Sequence, residues 1–144
     1  MTELTLETAQ AIVAGALAHA KSAKLNPLAV AVLDARGALK AFGAQDGTSL
    51  KRPEIAHGKA HGAISLGQGS RGLAKAAAER PHFVAAVTHA VGGSLIPVPG
   101  GVLIRAASGG AVIGAVGVTG DTSDNDEAAA LAGIQAAGLV GDGG

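Results

Sequence analysis

The sequence predicts an α/β (α+β) fold in which helices cover the faces of an antiparallel sheet. Three observations carry this prediction. Apolar residues recur at helical spacing near the N-terminus, short apolar runs of strand length occur in two pairs, and a glycine-containing turn joins each pair. The 144 residues are 48% hydrophobic and 15% charged, which suits one core. We therefore expect a single domain over residues 1–144, ordered from about residue 4 to about residue 140.

The N-terminal part combines one helix with one pair of strands. Thr5 can cap a helix that runs to about Lys24, and Pro27 helps to end it because the residue before a proline avoids helical angles. The apolar run 28–34 then has strand length, and residues 38–44 return as a second strand after an Ala-Arg-Gly turn. These segments predict a hairpin.

The middle of the chain is predicted to be helical. Pro53 lies in the first turn of a helix that spans residues 52–66, a position where proline is tolerated. A glycine-rich break follows. A third helix covers residues 73–79, and a helical turn covers residues 83–90.

Two further strands follow, over residues 102–106 and 111–118, with a Gly-Gly hairpin signal between them. The second run is apolar on both faces, so we expect it to be central and covered on both sides. Gly114 and Gly117 within it indicate the close approach of a helix or a ligand. These glycines do not form the G-x-G-x-x-G loop of dinucleotide-binding proteins.

Asp124 is predicted to cap the last helix, with Glu127 three residues later as its capping-box partner. The acidic residues around it do not have the spacing of a calcium loop, so we expect helix capping and no metal site. The tail of residues 141–144, Gly-Asp-Gly-Gly, is predicted to be frayed.

Composition excludes several functions. The absence of cysteine rules out disulfides and thiol chemistry. Eleven basic residues balance eleven acidic ones, and aromatic residues make up 1%, so the sequence predicts no nucleic-acid partner. Neither a signal peptide nor an apolar run of about 18 residues is visible, so we expect a cytoplasmic protein without a membrane partner.

Five segments together resemble the GlcG/HbpS family, also called the haem-degrading domain, which occurs at the C-terminus of PduO-type proteins as well. They are TLETAQAIVAGALAHAK, AVAVLDARGAL, EIAHGKAHGA, PGGVLIR and GAVIGAVGVTGDTSDNDEAAALAGI. The resemblance implies a profilin-like antiparallel sheet of about five strands flanked by helices on both faces. It also implies a homo-oligomer, either a dimer or a larger ring, and haem or a related tetrapyrrole as ligand. Some family members are instead small-molecule lyases.

Lys59 is the most informative candidate residue. A projection at about 100° per residue places it inside the apolar face of its helix, between Ile55 and Ala63. Burial would lower the pKa of its amine and suit it to act as a base, a nucleophile or an anion clamp. The alternative is an ion pair with Asp34 or Asp46, or a side chain that reaches solvent.

Two histidines of the same helix, His57 and His61, are one turn apart, which is a spacing used by metal and haem ligands. Partly exposed histidines without a ligand are the alternative. By resemblance, His19 of the first helix is a further haem-ligand candidate. The backbone N–H groups of Gly100 and Gly101 could hold an anion such as a haem propionate, or simply form a tight turn.

Two functional hypotheses follow. The first is an oligomeric small-ligand-binding domain, with haem or a related tetrapyrrole as ligand and otherwise no cofactor. The second is a metal-free lyase or isomerase that acts on a small organic acid or aromatic substrate. In this second hypothesis Lys59 is the base or anion clamp, and Asp34, Asp46 or Asp121 is its polar partner.

Overall fold

The computed structural model describes residues 3–144, which form five helices and a five-stranded sheet. The elements, in chain order, are α1 (Leu6–Ser22), β1 (Ala29–Asp34), β2 (Leu39–Ala44), α2 (Arg52–Leu66), α3 (Ser70–Glu79), α4 (Pro81–Ala90), β3 (Gly101–Arg105), β4 (Val112–Thr119), α5 (Ser123–Ala136) and β5 (Val140–Asp142). None of the helices in this part of the chain is long and apolar enough to cross a membrane.

The sheet has the strand order β2-β1-β4-β3-β5, and every neighbouring pair is antiparallel. The α/β (α+β) class and both predicted strand pairs are thus confirmed. β4 lies at the centre, and its residues from Ile113 to Thr119 are all buried, as expected for a strand that is covered on both faces.

Helices α1 and α5 pack on one face of the sheet. Ile12 of α1 and Ile134 of α5 lie in one apolar cluster with strand residues such as Val30, Val102 and Val116. Helix α2 covers the opposite face through alanines. Because the chain has two phenylalanines and no tyrosine or tryptophan, both layers are built from aliphatic side chains that allow close approach.

Several boundaries differ from the sequence predictions. Helix α3 begins at Ser70, ahead of the predicted residue 73, and the helical turn predicted at residues 83–90 is a complete helix that starts at Pro81. The side chain of Thr122 caps α5 by accepting a hydrogen bond from the Asn125 N–H, so the prediction that Asp124 is the cap is wrong. Asp124 lies in the first turn, where the helix dipole stabilises its negative charge.

The C-terminal residues also differ from the predicted frayed tail. Residues 140–142 form β5, which pairs with β3 at the edge of the sheet. The carbonyl oxygen of Gly143 then accepts a hydrogen bond of 3.1 Å from the N–H of Arg71 in the first turn of α3. An edge strand of three residues needs no apolar alternation of its own, because β3 supplies its hydrogen-bond partners.

Candidate ligand-binding site

Helix α2 is held between the sheet and an irregular segment that leads to β3. Its inner face carries Ala56 and Ala60, and a Cβ atom added at Gly117 of β4 would lie 1.8 Å from the carbonyl oxygen of Ala56. On its outer face, Gly58 leaves room for the side chain of Ile96, and Gly62 leaves room for Leu95. The prediction of a close helix approach at Gly117 is confirmed.

Lys59 lies on the buried side of α2, as predicted, with 2% of its side chain exposed. Its Nζ donates a hydrogen bond of 3.0 Å to Oδ2 of Asp126 and one of 2.9 Å to the carbonyl oxygen of Val118. Asp126 is buried to the same extent, and its Oδ1 accepts a 2.9 Å hydrogen bond from the N–H of Asp121. The pair therefore joins α2 to β4 and α5.

Burial dominates the electrostatics of this ion pair. It lowers the pKa of Lys59 and raises the pKa of Asp126, whereas the attraction between the two charges opposes both shifts. Through these contacts Lys59 holds α2 against β4 and α5.

The predicted acidic partners of Lys59 lie elsewhere, so that assignment is wrong. Burial alone would raise the pKa of Asp34, but hydrogen bonds from the N–H groups of Ala38 and Arg36 hold it below its usual value. Asp34 thus closes the β1–β2 turn. Asp46 is exposed, in the loop after β2.

Asp121 reaches the Lys59 pair only through its backbone N–H. Its carboxylate accepts hydrogen bonds from Asn125 Nδ2 and from the N–H groups of Asn26 and Thr122, which lower its pKa. It therefore ties the loop before β1 to the start of α5. Sequence reasoning missed Asp126 because the helix dipole already accounts for an acidic residue in the first turn of α5.

Gly100 and Gly101, the predicted anion-holding or tight turn, lie against Lys59 and are both buried. A Cβ atom at Gly100 would lie 2.8 Å from Lys59 Nζ, and the φ angle of Gly100 is 125°, a region that favours glycine. The N–H of Gly101 donates a 2.6 Å hydrogen bond to Ser70 Oγ. This turn serves the close packing of the lysine.

His57 and His61 face away from the Lys59 pair and share one residue of the segment before β3. Their rings stack, with centroids 5.4 Å apart. His57 Nδ1 lies 2.9 Å from Ser94 Oγ, and His61 Nδ1 lies 2.8 Å from the carbonyl oxygen of Ser94. Because a carbonyl oxygen only accepts hydrogen bonds, His61 Nδ1 carries the proton, and in the neutral ring Nε2 keeps its lone pair.

Open space lies beside α2, and exposed apolar side chains occur on the same side of the sheet. A cavity of about 400 Å³ lies between α2, at Ile55 and Gly58, and the loop that carries Ser94. Edge strand β2 exposes 42% of Phe42, which pairs with Ala31 and therefore lies on the α2 side of the sheet. The sequence predictions did not include Ser94, the common partner of the two histidines.

His19 is not brought to this region. It lies on α1, which covers the opposite face of the sheet from α2, and it is half-buried. Within residues 3–144, no group of three or more histidine and carboxylate side chains is placed to hold a metal ion. The candidate site therefore consists of His57 and His61 on α2 together with Ser94.

We expect His57 to make the protein less stable as the pH falls through 6.5, the usual pKa of histidine. Burial, and then the nearby His61, lower the pKa of His57 below its usual value of 6.5. The unfolded chain therefore binds the proton first, and the free energy of unfolding falls with pH until the folded form is protonated as well. His57→Gln should flatten this dependence in urea unfolding at a series of pH values. The prediction would be contradicted if the free energy of unfolding changed with pH equally in the wild type, in His57→Gln and in a control variant at exposed His82.

Comparison with known proteins gives one family and several structures. The model of the family described as "Haem degrading protein HbpS-like" matches residues 4–135. None of the curated proteins matches the chain.

Solved structures cover nearly the whole chain. The crystal structure of a PduOC–haem complex aligns with a TM-score of 0.83 and 20% identity, over 95% of this chain and 96% of that one. The protein ORFY of Klebsiella pneumoniae aligns with a TM-score of 0.82 and 25% identity, over 95% and 92%. A double mutant of Streptomyces reticuli HbpS aligns with a TM-score of 0.78 and 29% identity, over 94% and 87%.

Proposed function

Because the chain belongs to the HbpS-like family of haem-degrading proteins, we propose that its ligand is haem or a related tetrapyrrole, bound against α2 with His61 as the nitrogen donor. The observation that carries this assignment is the hydrogen bond from His61 Nδ1 to the carbonyl oxygen of Ser94. Histidines that ligate metals commonly donate their other ring N–H to a carbonyl or a carboxylate, which orients the ring and raises its basicity.

Two features of the α2 side of the sheet support a tetrapyrrole ligand. Its Nε2 has a lone pair, and among residues 3–144 no hydrogen-bond donor engages that nitrogen. The exposed side chains of Leu39 and Phe42 offer apolar surface on the same side of the sheet. Bound haem would supply a redox-active iron to this surface. The chain itself would supply the nitrogen donor and the carbonyl that holds it in place.

A second copy of the chain would complete this site. Leu39 and Phe42 are 57% and 42% exposed and lie on β2, the outermost strand of the sheet. An exposed apolar edge strand is usually covered in the functional state of a protein. We therefore propose a homo-oligomer, either a dimer or a larger ring, in which the exposed β2 edge meets a partner.

A titration with hemin tests the proposed ligand. The wild-type protein should give a saturable shift of the Soret band. His61→Ala should weaken hemin binding by at least the roughly 10–100-fold that loss of an outer-shell partner of a metal ligand costs, because the nitrogen donor itself is lost. Ser94→Ala removes the hydroxyl that contacts His57 but keeps the carbonyl that contacts His61, so it should leave the Soret band of the complex unchanged.

His82→Ala, at an exposed position of α4, is the matched control for loss of a histidine. Absence of a Soret shift in the wild type would refute haem binding. Undiminished hemin binding by His61→Ala would refute ligation by His61.

A further inference from the structure

Helices α3 and α4 form a small apolar cluster that is separate from both sheet layers. Its buried members are Leu73, Val84 and Leu95. A cavity of about 240 Å³ opens beside them, and its apolar walls are completed by Leu66, Ala76 and Phe83. Neither His61 nor Lys59 lines this cavity, so it is distinct from the haem surface proposed above.

Two polar residues, Gln68 and Arg80, line the same cavity. The guanidinium carbon of Arg80 lies 4.3 Å from the centroid of the Phe83 ring, which holds the cation over the aromatic face. Three other arginines form ion pairs: Arg36 with Asp34, Arg71 with Asp124 and Glu127, and Arg105 with Asp142. Arg52 donates a hydrogen bond to the hydroxyl of Thr119. Among residues 3–144, no carboxylate lies within salt-bridge distance of Arg80.

Phe83 lies at the rim of this cavity, with 43% of the residue exposed. Phe42, the other phenylalanine of the chain, does not line the cavity. An aromatic ring that stands at a cavity rim beside an unpaired arginine offers an apolar contact and a cation together. A ligand with an apolar body and one negative charge complements both.

We propose that this cavity binds a small apolar monocarboxylate, with a single ring or a short branched chain as its body. The apolar body lies among Leu73, Val84 and Leu95, and the carboxylate pairs with Arg80, whose planar guanidinium can donate two parallel hydrogen bonds. The volume is below the range of about 300–1,000 Å³ for drug-sized ligands, which restricts the ligand to a smaller molecule.

The test uses the full chain with labelled Leu and Val methyl groups, titrated with 3-phenylpropanoate and followed by NMR. Saturable shifts should concentrate at Leu66, Leu73, Val84 and Leu95, with a dissociation constant of roughly 1 mM or tighter, the affinity expected for a ligand of this size. The neutral analogue 3-phenylpropan-1-ol should bind about tenfold more weakly, because it cannot form the charged pair.

Three variants make the test specific. Arg80→Gln should remove the preference for the acid over the alcohol, whereas Arg36→Gln, at an exposed arginine in the β1–β2 turn, should keep it. Ala76→Leu, which fills the cavity without changing charge, should abolish binding of both probes. Absence of saturable shifts, equal affinity for acid and alcohol, or unchanged binding by Ala76→Leu would each overturn the proposal. Hemin binding is read separately by its Soret band, so failure of one proposal leaves the other standing.

Discussion

Replacing Lys59 by methionine should lower the free energy of unfolding by about 3–5 kcal/mol, because it leaves the carboxylate of Asp126 buried without its cation. Lys59 and Asp126 are each 2% exposed, so water cannot take over the lost interaction. The carbonyl oxygen of Val118 loses a hydrogen bond of 2.9 Å as well. Urea unfolding at pH 7 measures the loss. A change below about 1 kcal/mol, the range of surface ion pairs, would contradict this account.

A second change should recover much of that loss. Asp126→Asn in the Lys59→Met background removes the unpaired charge but keeps an oxygen that can accept the N–H of Asp121. The double variant should therefore be more stable than Lys59→Met alone, and the double-mutant cycle measures the coupling. As a matched control, Arg105→Met breaks the partly exposed pair with Asp142 and should cost about 1 kcal/mol or less.

The pH dependence of Lys59→Met offers an independent check. Burial raises the pKa of Asp126, and loss of the lysine removes the attraction that opposes this shift. The folded state then binds more protons than the unfolded state at pH values between the two pKa values. The free energy of unfolding of the variant should consequently fall as the pH rises through this window. The double variant Lys59→Met/Asp126→Asn should not show this fall in the free energy of unfolding, because asparagine does not titrate.

The position of Lys59 was predictable from the sequence, whereas its partner was not. Helical periodicity alone places Lys59 on the apolar face of α2. Asp126 is 67 residues away in sequence, and its proximity depends on the order of the strands and on how α5 crosses the sheet. Local rules account for the acidic residues at the start of α5 without that contact, so no local signal singled out Asp126.

The other features that the sequence did not predict also depend on contacts between distant parts of the chain. The spacing of His57 and His61 predicts that their rings are neighbours on α2, and they are. Their common partner, Ser94, lies in a segment without periodicity, so only the tertiary structure brings it to the helix. The short strand β5 is likewise defined by its pairing with β3 and carries no hydrophobic pattern of its own.

Replacing Gly117 by alanine should cost about 3 kcal/mol or more in the free energy of unfolding, at the upper end of overpacking effects. An added Cβ atom would lie 1.8 Å from the carbonyl oxygen of Ala56 and 2.9 Å from the nitrogen of Ala60. Both are backbone atoms of α2, so no side-chain rotation can relieve the clash, and the helix must move away from the sheet. Thermal or urea unfolding measures the effect.

Gly110→Ala is the matched control, because Gly110 is exposed in the β3–β4 connection and its added Cβ atom would meet only the movable hydroxyl of Ser108, at 3.3 Å. It should change the free energy of unfolding by about 0.5 kcal/mol or less, as is usual for surface substitutions. A loss in Gly117→Ala no larger than in Gly110→Ala would show that α2 can shift at little cost.

The cost of Gly117→Ala should also overlap with that of Lys59→Met. Both changes act on the same contact, because a helix displaced from β4 carries Lys59 Nζ away from the carbonyl oxygen of Val118 and from Asp126. Once the helix has been displaced, these two interactions of Lys59 are already weakened, so replacing the lysine costs less. The combined loss should therefore be smaller than the sum of the two single losses, whereas changes at independent sites add within about 0.3–0.5 kcal/mol. Strict additivity would mean that the glycine contact and the ion pair stabilise the helix separately.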